Sequence, residues 1–248
     1  MLNEHNLKGT FFVEPLFALR FGLEPLAEIV GLIQEAGQEV QLHLHTEWVD
    51  EARDVVFPHI DEKRQFLRYF SLDEQRQLIG IGKQLLEAAG AESPVAFRAG
   101  SFGFNSDTLP ALLDNGISFD ASYNACIRGL DSGVAAGKRQ FQPFSESGVR
   151  EYPITVFQDR AGHFRHAQLG ACSSGELRGL LEHAADADWE SVILLSHGFE
   201  LLNGDKDRAD KVVERRFRKL CEFLAMERKR LPTTFFADLA ANTRDRPH

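Results

Sequence analysis

Short apolar runs alternating with longer stretches of helical periodicity constrain this chain more than any other feature. A run of four or five apolar residues suits a buried strand. Apolar residues three and four apart give a helix one buried stripe, and alternating the two builds β/α units around a parallel sheet. Thr10-Phe11-Phe12-Val13 is the first such run. Leu26, Ile29, Val30 and Ile33 then set a helix over 26–36, with Gly37 as its C-cap glycine. Glu39 to His45 reads as the next strand. Ser71-Leu72-Asp73-Glu74 has capping-box spacing and opens a helix that ends near Gly90. The remaining strand expectations are Val95 to Arg98, Glu151 to Phe157, Ser191 to Leu195 and Thr233 to Phe236. Helices are expected at Ser106 to Asn115, Ser174 to Ala185 and Lys211 to Arg228. A glycine-rich polar stretch after Asp120, reaching Gly148, reads as a long loop.

At 248 residues with 43% hydrophobic content, the chain can bury a full core, and we expect a single domain over 1–248. Its formal charge of −9 argues against nucleic acid as a partner, as does the interleaving of acids and bases in Glu214-Arg215-Arg216-Phe217-Arg218-Lys219. Three cysteines, Cys126, Cys172 and Cys221, form no CxxC pair, so neither a disulfide framework nor a structural zinc knuckle is indicated. The polar N-terminal residues do not read as a signal peptide, and no apolar run approaches a membrane span. These features lead us to expect a soluble, cytoplasmic protein without a membrane partner.

Three strand ends carry chemistry, and strand C-termini are where a parallel barrel assembles its site. In His43-Leu44-His45-Thr46-Glu47-Trp48, imidazole and carboxylate are ligands for zinc or a similar divalent ion. A helical turn after the strand would aim His43 and Glu47 at one metal. His45 is the rival ligand, although strict strand geometry gives it no turn with which to converge on His43. In Phe97-Arg98-Ala99-Gly100-Ser101-Phe102-Gly103, an arginine ends an apolar strand and could orient a catalytic carboxylate by a bidentate contact. In Leu194-Leu195-Ser196-His197-Gly198, the histidine can donate a proton to a leaving amine near neutral pH. Each motif alone has a structural reading as well: a polar surface loop, an ion pair under a loop, a satisfied histidine. Asp186-Ala187-Asp188 reads as a solvated loop.

Together and in this order, the motifs resemble the polysaccharide deacetylases of carbohydrate esterase family four. Lys8-Gly9-Thr10-Phe11-Phe12-Val13 is similar to that family's second strand, and Gly37 to His43 to the approach to its metal-binding motif. Arg98 to Gly103 is similar to its groove-forming arginine motif, and Leu195-Ser196-His197 to its final motif. The resemblance implies a distorted, partly closed parallel (β/α)7-type barrel. It also implies a metal-dependent hydrolase that removes N-acetyl groups from a polysaccharide or amino sugar, with zinc the first choice of divalent metal. On that basis His43, Glu47 and His45 are the metal-ligand candidates and His197 the general acid. Arg98 joins His197 as a catalytic candidate, and Trp48, Phe102 and Ser101 would line the substrate pocket.

Two departures stand out. Where the family has a His-x-x-x-His pair, Glu47 takes the second place. Paired aspartates, which in the family supply the general base and a metal ligand, do not occur before Thr10. The expectation is therefore an N-terminally incomplete domain, lacking its first strand and a β/α unit on the order of 20 to 40 residues. The alternatives are an inactive carbohydrate-binding or scaffold homologue, and an amidohydrolase for a non-sugar amide.

Overall fold

The structure is a computed structural model that describes residues 1–60, 62–127 and 130–244. Strand β1 (Thr10–Val13) leads through α1 (Ala18–Phe21) and α2 (Glu24–Glu35) to β2 (Glu39–Leu44). A 3-10 turn over Thr46–Glu51 follows β2. Helix α3 (Leu72–Ala88) precedes β3 (Ala96–Ala99), and α4 (Thr108–Asp114) precedes β4 (Phe119–Asp120). Next come β5 (Phe144–Glu146), β6 (Val149–Glu151), a hairpin of β7 (Val156–Arg160) and β8 (His163–His166), then α5 (Ser174–Asp186), α6 (Lys211–Met226) and α7 (Phe236–Arg244).

The main sheet has the order β1-β2-β3-β4-β6-β5 and is parallel except for β5 against β6. Alternation along the strands separates two apolar faces. Leu42, Leu44, Phe97 and Ala99 point into the larger core with Leu26 and Val30 of α2, Leu78 and Ile79 of α3, and Leu109 and Leu112 of α4. Helix α3 lies so close to β2 that a Cβ on Gly82 would come within 2.7 Å of Leu44 Cδ2. On the other face, Phe12, Ala96, Phe119 and Ala121 meet Phe236 of α7, whose ring lies 5.8 Å from both Phe12 and Phe119. His43 and Arg98 follow Gln41 and Ala96 by two residues, so they continue this second face at the strand C-termini.

The capping box at Ser71 forms as its spacing predicts, with Glu74 N–H donating to Ser71 Oγ and Ser71 N–H to the Glu74 carboxylate. Gly37, Gly90 and Gly116 all adopt positive φ at helix ends. The three cysteines are free. No described helix is long and apolar enough to cross a membrane.

The expected parallel β/α architecture is present in part, and three strand expectations need correction. The sheet is open, with β1 and β5 as its edges, so closure into a barrel is not seen among the described residues. Ser191 to Leu195 forms no regular strand. Its backbone bonds to Thr155 on one stretch and to Ala167 and Leu169 on another, and the β7–β8 hairpin separates those stretches. Glu151 to Phe157 is divided between β6 and β7, with Pro153, which has no N–H to give a ladder, at the break. Thr233 to Phe236 leads into a helix instead of a strand. Asp238 accepts the Phe235 N–H, and the Glu39 carboxylate accepts those of Phe236 and Ala237, which satisfies the first amides of α7.

Candidate active site

Strand β2 delivers His43 to the C-terminal edge of the second face, where its Nδ1 lies 2.6 Å from the Arg98 carbonyl oxygen. A carbonyl accepts only, so Nδ1 carries the proton and Nε2 keeps its lone pair in the neutral ring. Burial, and secondarily the neighbouring His45, lowers the His43 pKa to about 3, so the ring is neutral near pH 7. His45 packs edge-on against His43 with ring centroids 4.8 Å apart, and its Nδ1 lies 3.2 Å from Glu47 Oε1. The other Glu47 oxygen, Oε2, is buried and has no hydrogen-bond partner. Gly100 leaves room for this arrangement, because a Cβ there would lie 2.5 Å from the Leu44 carbonyl oxygen and 3.0 Å from His45 Nδ1.

Glu14 enters the same cluster from the end of β1. Its carboxylate accepts the N–H groups of Leu16 and Phe17 at 2.8 and 3.1 Å. Burial first, with Glu47 nearby, raises its pKa to about 7, and the backbone donors only partly offset this. Arg98 lies over the Phe12 ring at 4.2 Å and donates from Nε to the Ala121 carbonyl at 3.1 Å. Burial lowers its pKa to about 10, still charged at neutral pH.

His197 is near enough to His43 to act on its charge. Its Nδ1 lies 2.9 Å from Glu200 Oε1, and its ring stacks on Phe199 with centroids 5.1 Å apart. Glu200 is itself held. Gln168 Nε2 donates to Oε1 and the Gly170 N–H donates to Oε2, while His166 Nε2 lies 2.6 Å from Gln168 Oε1.

Neither family models nor curated proteins match the sequence. Among solved structures, a protein from Mycobacterium smegmatis described as a polysaccharide deacetylase is similar over 100% of this chain and 78% of its own, at 19% identity and a TM-score of 0.58. The chain has a polysaccharide deacetylase fold. A family 4 carbohydrate esterase from Streptomyces lividans in complex with acetate (13% identity; 94% of this chain and 81% of that one) gives a TM-score of 0.49. A family 4 pseudoenzyme from Bacillus anthracis (14% identity; 91% and 53%) gives 0.46.

Within this deacetylase-like fold, His43, His45 and Glu47 stand together, with Arg98 joined to His43 through its carbonyl. His45 is not the outlier that strand geometry predicts. It contacts both His43 and Glu47, since the 3-10 turn beginning at Thr46 brings Glu47 back toward it. Among the described residues, however, no group of three or more His, Cys, Asp or Glu side chains is arranged to hold a metal ion. Trp48 packs edge-on against Phe17 and Phe21 beside α1. Ser101 and Phe102 both adopt left-handed backbone, φ 52° and 56°, and the Phe102 ring meets His166 at 6.2 Å. Glu14 and Glu200 escape the sequence reading. Glu14 carries the strand-end signal used for Arg98, whereas Glu200 has only its position three residues after His197.

Proposed function

We propose that this chain is a hydrolase of the N-deacetylating type, acting on an N-acetylated glycan with a divalent metal, zinc first among the candidates. The observation that carries the reading is the Glu47 Oε2 atom, buried without a partner beside His45 and His43 at a parallel-sheet C-terminal edge. A carboxylate oxygen in that state calls for a cation or a donor. The donor chemistry fits a metal. His43 is neutral with Nε2 free, and its Nδ1–H is anchored on a carbonyl, as is common for metal-bound histidines. His43 and Glu47 would hold the ion, with His45 as the alternative. Once bound, the ion would supply Lewis acidity at an acetamide carbonyl and at water.

The remaining chemistry belongs to the chain. Glu200 fixes the His197 ring so that Nδ1 faces the carboxylate. In the imidazolium form Nε2–H is then the proton available to the departing sugar nitrogen. Glu14 adds a carboxylate beside Glu47 and is the candidate for holding the attacking water. Arg98, fixed at Nε and supported by Phe12, orients His43 through its carbonyl and offers positive charge where an oxyanion develops. Trp48, Phe102 and Ser101 remain candidates for the glycan-facing wall.

The second reading is a carbohydrate-binding homologue without turnover, favoured by the lack of a ready three-ligand cage among the described residues. The test is acetate release from N-acetylglucosamine oligomers with and without added zinc. Zinc-dependent release that His43→Ala and Glu47→Gln abolish is the expected result. Oligomer binding with no release at any zinc concentration establishes the second reading instead.

A further inference from the structure

Two carboxylates lie side by side behind the site. Asp120 ends β4, Glu151 ends β6, and they are direct partners in the parallel ladder. Both are buried, at 0% and 1% exposure. Each has one oxygen with a conventional donor: Ser122 Oγ–H reaches Asp120 Oδ1 at 2.5 Å, and the Tyr123 N–H reaches Glu151 Oε1 at 3.1 Å. Asp120 Oδ2 and Glu151 Oε2 have no such donor. As ladder partners the two side chains are neighbours on one face, and each acts on the other's charge. Ionised carboxylates repel each other and only accept, so one proton between the two relieves the repulsion and supplies a donor.

We propose that Asp120 and Glu151 share a single proton and that their one negative charge positions Arg98. No ion pair links Arg98 to a described carboxylate, and the charges acting on it are those of Asp120 and Glu151. The pair also fixes the backbone that Arg98 uses. Ala121, whose carbonyl receives Arg98 Nε–H, lies between Asp120 and Ser122, and Ser122 Oγ accepts the Ala99 N–H at 2.8 Å. From Arg98 the chain of contacts continues through its carbonyl to His43.

One negative charge against one guanidinium leaves the buried group neutral overall, whereas two ionised carboxylates would leave a net charge in a region that cannot solvate it. The charged and titratable groups facing the pair are Arg98 from β3 and Tyr123 after β4. Burial, then Asp120, drives the Glu151 pKa well upward, in keeping with a retained proton.

Proton sharing stands independently of the proposed reaction, but the consequence for catalysis rests on that reading. Difference infrared spectroscopy of the full chain tests the first part. With Glu14→Gln as the background, which takes away the carboxyl that Glu14 itself contributes near neutral pH, the protein should show a protonated-carboxyl band at neutral pH that adding Glu151→Gln removes. Absence of the band, or its survival once Glu151→Gln is added, overturns the proposal. For positioning, Glu151→Gln keeps the charge and the donor, while the double variant Asp120→Asn/Glu151→Gln keeps the shape without charge. The His43 ring signals in nuclear magnetic resonance should hold in the first and shift in the second. Unchanged His43 signals in a folded double variant overturn the positioning role. If the wild type releases acetate, kcat should fall about tenfold or more only in the double variant. A wild type that releases none defeats the hydrolase reading while leaving the spectroscopic result to decide this one.

Discussion

His197 and Glu200 lie three residues apart, yet the carboxylate is held from elsewhere, by Gln168 and by the Gly170 N–H. If His197 gives its proton to the leaving nitrogen, His197→Ala should lower kcat by about 10²- to 10⁴-fold with a much smaller change in KM. A weakened KM at unchanged kcat would make it a substrate contact. Gly170 gives a sharper probe, because a Cβ there would lie 2.7 Å from Glu200 Oε2. Gly170→Ala should swing the Glu200 carboxylate away and lower kcat at least severalfold, with the melting temperature nearly unchanged. Equal losses of both would point to a structural glycine. The strand-end rule makes His43 and Arg98 legible in the sequence, whereas His197 follows a segment that forms no regular strand and Glu14 carries the signal unread. The strand-end rule cannot reveal Gln168 beneath Glu200, because that contact spans 32 residues and reaches across α5.

At the scale of elements, local signals decide what local contacts stabilise. Ser71 and Glu74 close a capping box within one turn, so the start of α3 is readable from four residues. Ser71→Ala should cost about 1 kcal/mol in denaturant unfolding, since it removes a side-chain acceptor from an N-terminal amide. Unchanged stability would mean that tertiary packing, not the cap, sets the end of α3. Thr233 to Phe236 misleads for the opposite reason. Its aromatic and β-branched residues favour a strand, but Glu39 lies 197 residues from Phe236 and satisfies its amide. Ser191 to Leu195 has a strand's composition without a continuous partner, and the sequence does not show that the hairpin interrupts the opposing backbone.

Across the whole molecule, buried titratable groups from three strands set opposing pH dependences. His43 has a folded pKa of about 3 against an ordinary 6.5, so its contribution is complete above 6.5 and is lost as pH falls toward 3. Glu14, raised from 4.5 to about 7, contributes fully below 4.5 and loses that contribution as pH rises through 7. Glu151, raised well above 4.5, acts in the same direction as Glu14. Between about pH 5 and 6.5 the His43 and Glu14 slopes, each about 1.4 kcal/mol per pH unit, cancel. Glu151 then leaves a net loss of stability with rising pH. Below about 4.5 only His43 continues to titrate among the three, and stability falls with acid. The metal-free protein should therefore be most stable at roughly pH 4 to 5 and weaken steadily toward alkaline pH, with Glu151→Gln flattening the alkaline side. Denaturant unfolding from pH 3 to 9 in the presence of a chelator measures this, and stability that rises between pH 5 and 8 would sink the assignment of buried, proton-retaining carboxyls.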